Sequence, residues 1–194
     1  MTHRFFRLLP RFLPLLSIIG FSLLFWFSSP EQVLSMVGVE NAYLLIFFLS
    51  LIGGLSTFSG VPYHVILVAL AAGGLDPFLL GSVTAVGVML GDSTSYYLGR
   101  QSVAIIPEQV LVRVRKLGFV KERYPRLLPF LFFCFGALLP ISNDIITIPM
   151  GILRYPFWKT MIPLGLGNLV FNIGLALLSV HAYELVARLP FIGG

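Results

Sequence analysis

Charge is what this sequence has least of. Only 11% of its 194 residues are Asp, Glu, Lys or Arg, where a soluble domain carries about one quarter. With 57% hydrophobic residues, the chain cannot cover a soluble surface, and the soluble globular class is excluded. Cysteine is nearly missing too. Cys134 stands alone in an apolar run, which rules out a disulfide or a cysteine-cluster metal site. It is expected to be a small buried core residue. Enzyme signatures are also wanting. There is no His-Glu-x-x-His pair, no Gly-x-Ser-x-Gly elbow and no phosphate-loop glycine pattern. His3, His64 and His181 lie far apart, with no obvious nucleophile beside them. No catalytic residue, metal or cofactor is expected. The length suits one membrane domain, 1–194, without a soluble catalytic domain.

What charge there is lies in blocks. Arg4, Arg7 and Arg11 precede the first apolar run, and Arg100, Arg113, Arg115, Lys116, Lys121, Arg123 and Arg126 fill the centre. The segment 28–41 carries Glu31 and Glu40 and no Lys or Arg. By the positive-inside rule, the N-terminus and the 101–126 loop face the cytoplasm and the C-terminus lies outside. Basic loops beside membrane spans read as topology signals or anionic-lipid contacts, not as a nucleic-acid site. A multi-pass protein of the bacterial inner membrane is expected.

Phe12 to Phe27 is apolar and follows the three arginines, as in a signal peptide. Large Phe25, Trp26 and Phe27 occupy the place where small residues would permit cleavage. Residues 1–40 are therefore read as a retained transmembrane helix and an outer loop. The rest falls into two similar parts. Repeat one, 41–100, runs through Ser59-Gly60-Val61-Pro62-Tyr63-His64, then Asp76-Pro77-Phe78, to Gly91-Asp92. Repeat two, 127–188, runs through Leu139-Pro140-Ile141-Ser142-Asn143-Asp144, then Tyr155-Pro156-Phe157, to Gly167-Asn168. Each is an apolar segment broken by Pro and Gly, a short return segment, and a longer apolar helix holding one polar side chain. Tyr43–Ile52 covers only ~15 Å of a ~30 Å hydrocarbon core. Gly53, Gly54, Gly60 and Pro62 interrupt the first hairpin; Pro140 and Gly151 are expected to break the second. The basic loop is expected to contain an amphipathic helix around 108–117. The fold class is an all-α integral membrane protein. It is an inverted repeat of re-entrant hairpin plus transmembrane helix, with an extra N-terminal helix. Full, tilted and kinked spans are the alternative.

Depth singles out the candidate site. Asp92 lies eight residues before the interfacial Arg100, ~12 Å inward on a helix. Tyr96 and Arg100 follow it on one face. Asn168, Asp144 and His64 lie at similar counts from Lys159, Arg154 and Asp76. All four polar residues are thus expected near one layer. An ionisable residue there costs at least ~2.5 kcal/mol, which makes function the default reading. Other readings stand beside it. Asp144, in a Ser-Asn-Asp cluster, suits a helix cap. Asn168 suits helix–helix glue among Gly165, Gly167 and Gly174, which permit close packing within one chain or in a homodimer. His64 suits a satisfied structural histidine, and Arg100 an interfacial anchor. Tyr43, Tyr155 and Trp158 read as interfacial aromatics.

The run Gly91-Asp92-Ser93-Thr94-Ser95-Tyr96-Tyr97-Leu98-Gly99-Arg100 resembles the Gly-Asp…Tyr-x-x-Gly-Arg signature of the DedA family, also called the VTT-domain or SNARE-associated Golgi protein family. The Gly60-x-Pro62 and Pro140…Gly151 stretches are similar as well, and the resemblance covers roughly residues 50–175. It implies two opposed re-entrant hairpins and movement of phospholipid, or of the polyisoprenyl phosphate carrier, between leaflets. Members commonly carry a Glu where this chain has His64, and arginines where it has Ala137 and Asn143. Those groups are thought to serve proton coupling and phosphate binding. Asp92 and Arg100 carry over, and Asp144 adds an acid.

A lipid translocase is the leading expectation. Its headgroup would sit in a wet midplane cavity, Arg100 would attract the phosphate, and Asp92 and Asp144 would take a proton or a headgroup amine. A proton-coupled transporter of a small solute or ion is the alternative. A third reading is a scaffold whose polar residues only hold helices together.

Overall fold

A computed structural model describes residues 38–55, 63–102 and 123–187, with a few isolated positions besides. The expected N-terminal helix and the break at Gly60 and Pro62 lie outside these residues. Among the described residues there are helices and no strands. In chain order they are α1 (Val39–Leu55), α2 (Tyr63–Ala72), α3 (Pro77–Gln101), α4 (Leu127–Leu138), α5 (Asp144–Ile152) and α6 (Phe157–Ala187). Within α3 and α6, Pro77–Gln101 and Phe157–Tyr183 are long and apolar enough to cross a membrane. In the basic loop, Glu108, Gln109, Leu111, Val112, Val114 and Gly118 are helical.

Local chemistry sets the ends of these helices. Asp76 caps α3, its Oδ1 accepting from the Leu79 N–H at 2.7 Å, and Pro77 follows where its missing N–H costs nothing. α2 and α5 end in the same turn. In the first, Gly73, Gly74 and Leu75 donate to Ala69, Ala71 and Leu70; in the second, Leu153, Arg154 and Tyr155 donate to Pro149, Gly151 and Met150. Gly74 takes this turn at φ 101 and Arg154 at φ 50. The left-handed conformation is free for glycine and strained for arginine. Aligned on this turn, Asp92 corresponds to Asn172. The pairing of Gly91-Asp92 with Gly167-Asn168 is therefore displaced by one helical turn.

Two of the expected breaks are helical instead. Gly53 and Gly54 continue α1 to Leu55. Gly54 is where α1 crosses α3, and a Cβ there would stand 2.6 Å from the Val88 carbonyl oxygen. Gly151 likewise lies inside α5, where any side chain would run into the Tyr96 carbonyl. Both glycines serve close approach of backbones, not interruption. Pro140 does lie in the non-helical link 139–143.

The packing exchanges partners between the halves. α1 lies on α3 and α4 on α6, while the return helices cross over: α2 packs on α6 and α5 on α3. The apolar interior forms two clusters. One gathers Ile46, Leu67, Leu70 and Leu80; the other gathers Tyr96, Phe132, Met150, Met161 and Leu164. Leu80 and Tyr96 belong to α3, so Asp92 falls on the stretch of helix between the two clusters.

Candidate functional site

Asp92 is 3% exposed. Its Oδ2 accepts from Asn143 Nδ2 at 2.7 Å and from Asn168 Nδ2 at 3.5 Å. Three helices thus converge on one carboxylate oxygen: α3 with Asp92, the start of α5 with Asn143, and α6 with Asn168. Asp144 lies within Coulombic reach of Asp92, as does Tyr63 at the start of α2.

The convergence depends on residues that lack side chains. α5 reaches α3 closely because Gly99 and Gly151 meet the opposite backbone; a Cβ on Gly99 would stand 3.0 Å from Ile148 Cα. α4 reaches α6 through Gly136, whose added Cβ would stand 2.7 Å from the Leu164 carbonyl oxygen and 3.3 Å from Asn168 Oδ1. Asn143 is available to Asp92 because it does not cap its own helix. The Ser142 hydroxyl instead accepts the Asp144 N–H at 3.3 Å. Asp144 sits in the first turn of α5, at the positive end of the helix dipole.

The other sequence candidates lie around this cluster. Tyr96 is fully buried and donates its hydroxyl to the Tyr155 carbonyl, locking α3 to the turn after α5. Arg100 is exposed in the last turn of α3. His64 is half-buried, stacked at 3.9 Å on Tyr63 and set edge-on to Phe171 at 5.5 Å; no hydrogen bond joins it to Asp92 among the described residues. Tyr155, read as interfacial, is buried against Phe132. Trp158 is exposed. Cys134 is half-exposed on the wall of a groove, not in the core.

Two buried residues escape a reading of the sequence. Thr147 stands one turn beyond Asn143, and Asn172 one turn beyond Asn168. Both are 1% exposed or less. Asn172 Nδ2 donates to the Asn168 carbonyl at 2.8 Å. Thr147 Oγ1 and Asn172 Oδ1 have no hydrogen-bond partner among the described residues, which is costly in an apolar interior. α5 runs parallel to α3 and α6 antiparallel, as the contacts Gly99–Ile148 and Gly81–Ile173 require. The two therefore flank Asp92 on opposite sides, about 12 Å apart along the axis. The only signal for them is the four-residue spacing from Asn143 and Asn168.

A family model described as VTT domain matches residues 61–181, more than half of the chain. The chain belongs to the VTT-domain family. This is the DedA family that the Gly-Asp…Gly-Arg run resembles. Nothing among curated proteins or solved structures matches the chain. VTT-domain membership, with two apolar helices of spanning length, makes this a membrane protein. In the VTT-domain match fall every member of the Asp92 cluster, both orphan polar atoms and Arg100.

Proposed function

We propose that this VTT-domain protein moves a lipid between the leaflets of a bacterial inner membrane. The observation that carries this reading is the buried Asp92–Asn143–Asn168 contact. A carboxylate held by amides from two other helices, between two apolar clusters, is expensive in a membrane bundle. Helix association alone is more simply served by small residues, of which this bundle has many. The cluster also lies at a junction of short and long helices from two halves, the kind of place where inverted-repeat transporters bind.

In this reading the 139–143 link is the tip of a re-entrant hairpin. Backbone off the helical pattern at that depth must be buried in protein or face a wet cavity. The lipid headgroup passes the Asp92 layer while its chains remain in the bilayer. Arg100, at the cytoplasmic end of α3, draws the phosphate towards the entrance. Asp92 and Asp144 supply acceptors for a proton or a headgroup donor. An open apolar groove beside α4 favours a lipid over a small solute, which would need a sealed cavity.

The test is a liposome assay on the purified chain. A labelled phospholipid placed in one leaflet is followed to the other, with and without a pH gradient, beside Asp92→Asn and Asp144→Asn. Collapse of transport in folded variants is expected. Equal rates in protein-free and protein-bearing liposomes, with the protein folded and inserted, would refute the proposal and favour a solute or ion. Variants that lose stability and keep transport would identify the cluster as a scaffold.

A further inference from the structure

The two halves repeat in what they bury, and one bond of the repeat is not made. The alignment that matches Asp92 with Asn172 also matches Leu67 with Thr147, Leu70 with Met150 and Leu80 with Thr160, all buried. It matches Asn143, at the start of α5, with Tyr63, at the start of α2. Asn143 donates to Asp92 on α3 at 2.7 Å. The counterpart of that bond joins Tyr63 on α2 to Asn172 on α6. Its chemistry is complementary: a phenol O–H stands where the Asn143 amide donates, and an amide oxygen where the Asp92 carboxylate accepts. Its placement agrees as well. His64, next to Tyr63, meets Phe171, next to Asn172, with ring centres 5.5 Å apart.

Yet Asn172 Oδ1 has no hydrogen-bond partner among the described residues, and Asn172 is 1% exposed. A buried amide oxygen without a partner calls for an explanation. The Tyr63 ring lies against Gly53 of α1 instead, where an added Cβ would stand 2.6 Å from Tyr63 Cδ1. Side-chain size separates the halves. α5 touches α3 through Gly99 and Gly151, and Tyr96 locks the turn after α5 to α3. The matching residues in the other half are Ser179, Ala71 and Ala176. The first two carry a Cβ that keeps α2 off α6, and Ala176 has no hydroxyl to form a lock. The longer Tyr63 stands where that wider spacing needs reach.

We propose that Tyr63 and Asn172 form the closing bond of a second conformer. When the start of α5 swings away from Asp92, Tyr63 turns from Gly53 and its hydroxyl donates to Asn172 Oδ1. α3 and α6 run antiparallel, so the two bonds close opposite ends of the bundle: Asn143–Asp92 the end where α3 finishes, Tyr63–Asn172 the end where α6 finishes. The Tyr96 lock and the two glycine contacts favour the conformer described above. The exchange of bonds needs no lipid and holds whatever the cargo is.

The experiment uses the full chain in liposomes, carrying Cys134→Ser and Thr147→Cys. Thr147 is fully buried one turn beyond Asn143, so a thiol there meets a small polar maleimide only while the start of α5 is away from α3. Slow labelling is expected, and Asn143→Ala should speed it about fivefold. In that background Tyr63→Phe, which keeps the ring and removes only the hydroxyl, should slow labelling again about fivefold, what one neutral hydrogen bond contributes. Asn172→Leu should do the same, and the two together no more than either alone. The sign is diagnostic, because loss of a group that merely packs the fold would loosen it and speed labelling. Faster or unchanged labelling in Tyr63→Phe would overturn the proposal. So would additive effects of the two variants, or a thiol at 147 that stays unreactive in the Asn143→Ala background. Thermal unfolding checks that each variant is folded; if Asn172→Leu does not fold, Tyr63→Phe decides alone.

Discussion

The bond between Asn143 and Asp92 is the most direct place to test the geometry. It joins the link before α5 to the long helix α3, at 2.7 Å and with both residues at least nine-tenths buried. Asn168 sits at 3.5 Å from the same oxygen and is the weaker donor. Leaving a buried hydrogen-bond partner unsatisfied costs about 1–3 kcal/mol, and residues in one network couple by about 0.5–3 kcal/mol. For Asp92→Ala combined with Asn143→Ala, the expected coupling is therefore about 2 kcal/mol. Each single variant should lose stability, and the double should lose about 2 kcal/mol less than their sum. The assay is reversible unfolding of the full chain in mild detergent, fitted as a four-member cycle. Ser82→Ala serves as the control. Its hydroxyl bonds the Phe78 carbonyl at 2.7 Å near the start of α3, and it should add to Asp92→Ala within about 0.5 kcal/mol. A coupling under about 0.5 kcal/mol for the Asp92–Asn143 pair would refute the contact and the convergence of halves built on it.

Three further outcomes follow from named contacts. Gly54→Val should cost about 1–3 kcal/mol and reduce the folded fraction, because its Cβ meets the Val88 carbonyl and cannot be accommodated by a rotamer change; unchanged thermal stability would show that the α1–α3 crossing is looser. Arg154→Gly should stabilise the chain by about 1 kcal/mol, since Arg154 holds the left-handed conformation that Gly74 holds in the first half; a lower melting temperature would mean the side chain makes compensating contacts. Asp76→Ala should cost about 1 kcal/mol by removing the cap of α3, and restoration by Asp76→Ser would tie the loss to capping.

Sequence locates best the residues whose chemistry leaves them few roles. A carboxylate at Asp92, ~12 Å inside an apolar run, has little to do but meet a polar partner or a ligand. The apolar runs also place α3 and α6 and the link at Pro140. Glycine is the poor guide. The sequence signal of Gly54 and Gly151 is the same for a chain break as for a backbone crossing, and the neighbour that decides between them comes from a distant helix. Asn143 stands in a Ser-Asn-Asp cluster that suits a cap, yet Ser142 takes the capping bond and leaves Asn143 to Asp92. Thr147 and Asn172 carry no sequence signal beyond their spacing, because Thr and Asn inside a helix commonly bond their own backbone. Asn172 does so with one atom; its other atom, and Thr147 Oγ1, lack partners among the described residues. Counting residues from the interfaces puts His64 in the same layer as Asp92. Depth alone gives no direction, and the ring turns to Tyr63 and Phe171 instead.

The exchange of return helices explains why the polar cluster lies where it does. The long helices α3 and α6 already meet across the junction, which brings Asn168 to Asp92. Because α5 crosses to α3, the polar start of a helix from one half is carried to the middle of a helix from the other. The glycines at 99 and 151 fix that crossing backbone to backbone, and those at 136 and 167 fix α4 on α6. A rocking of α5 about Gly99–Gly151 would lengthen the 2.7 Å bond to Asp92 while leaving the Tyr96–Tyr155 lock, one turn away, nearly in place. The Asp92–Asn143 bond would thus respond to relative movement of the halves. That is the property a transport site needs if occupancy is to be coupled to which side is open.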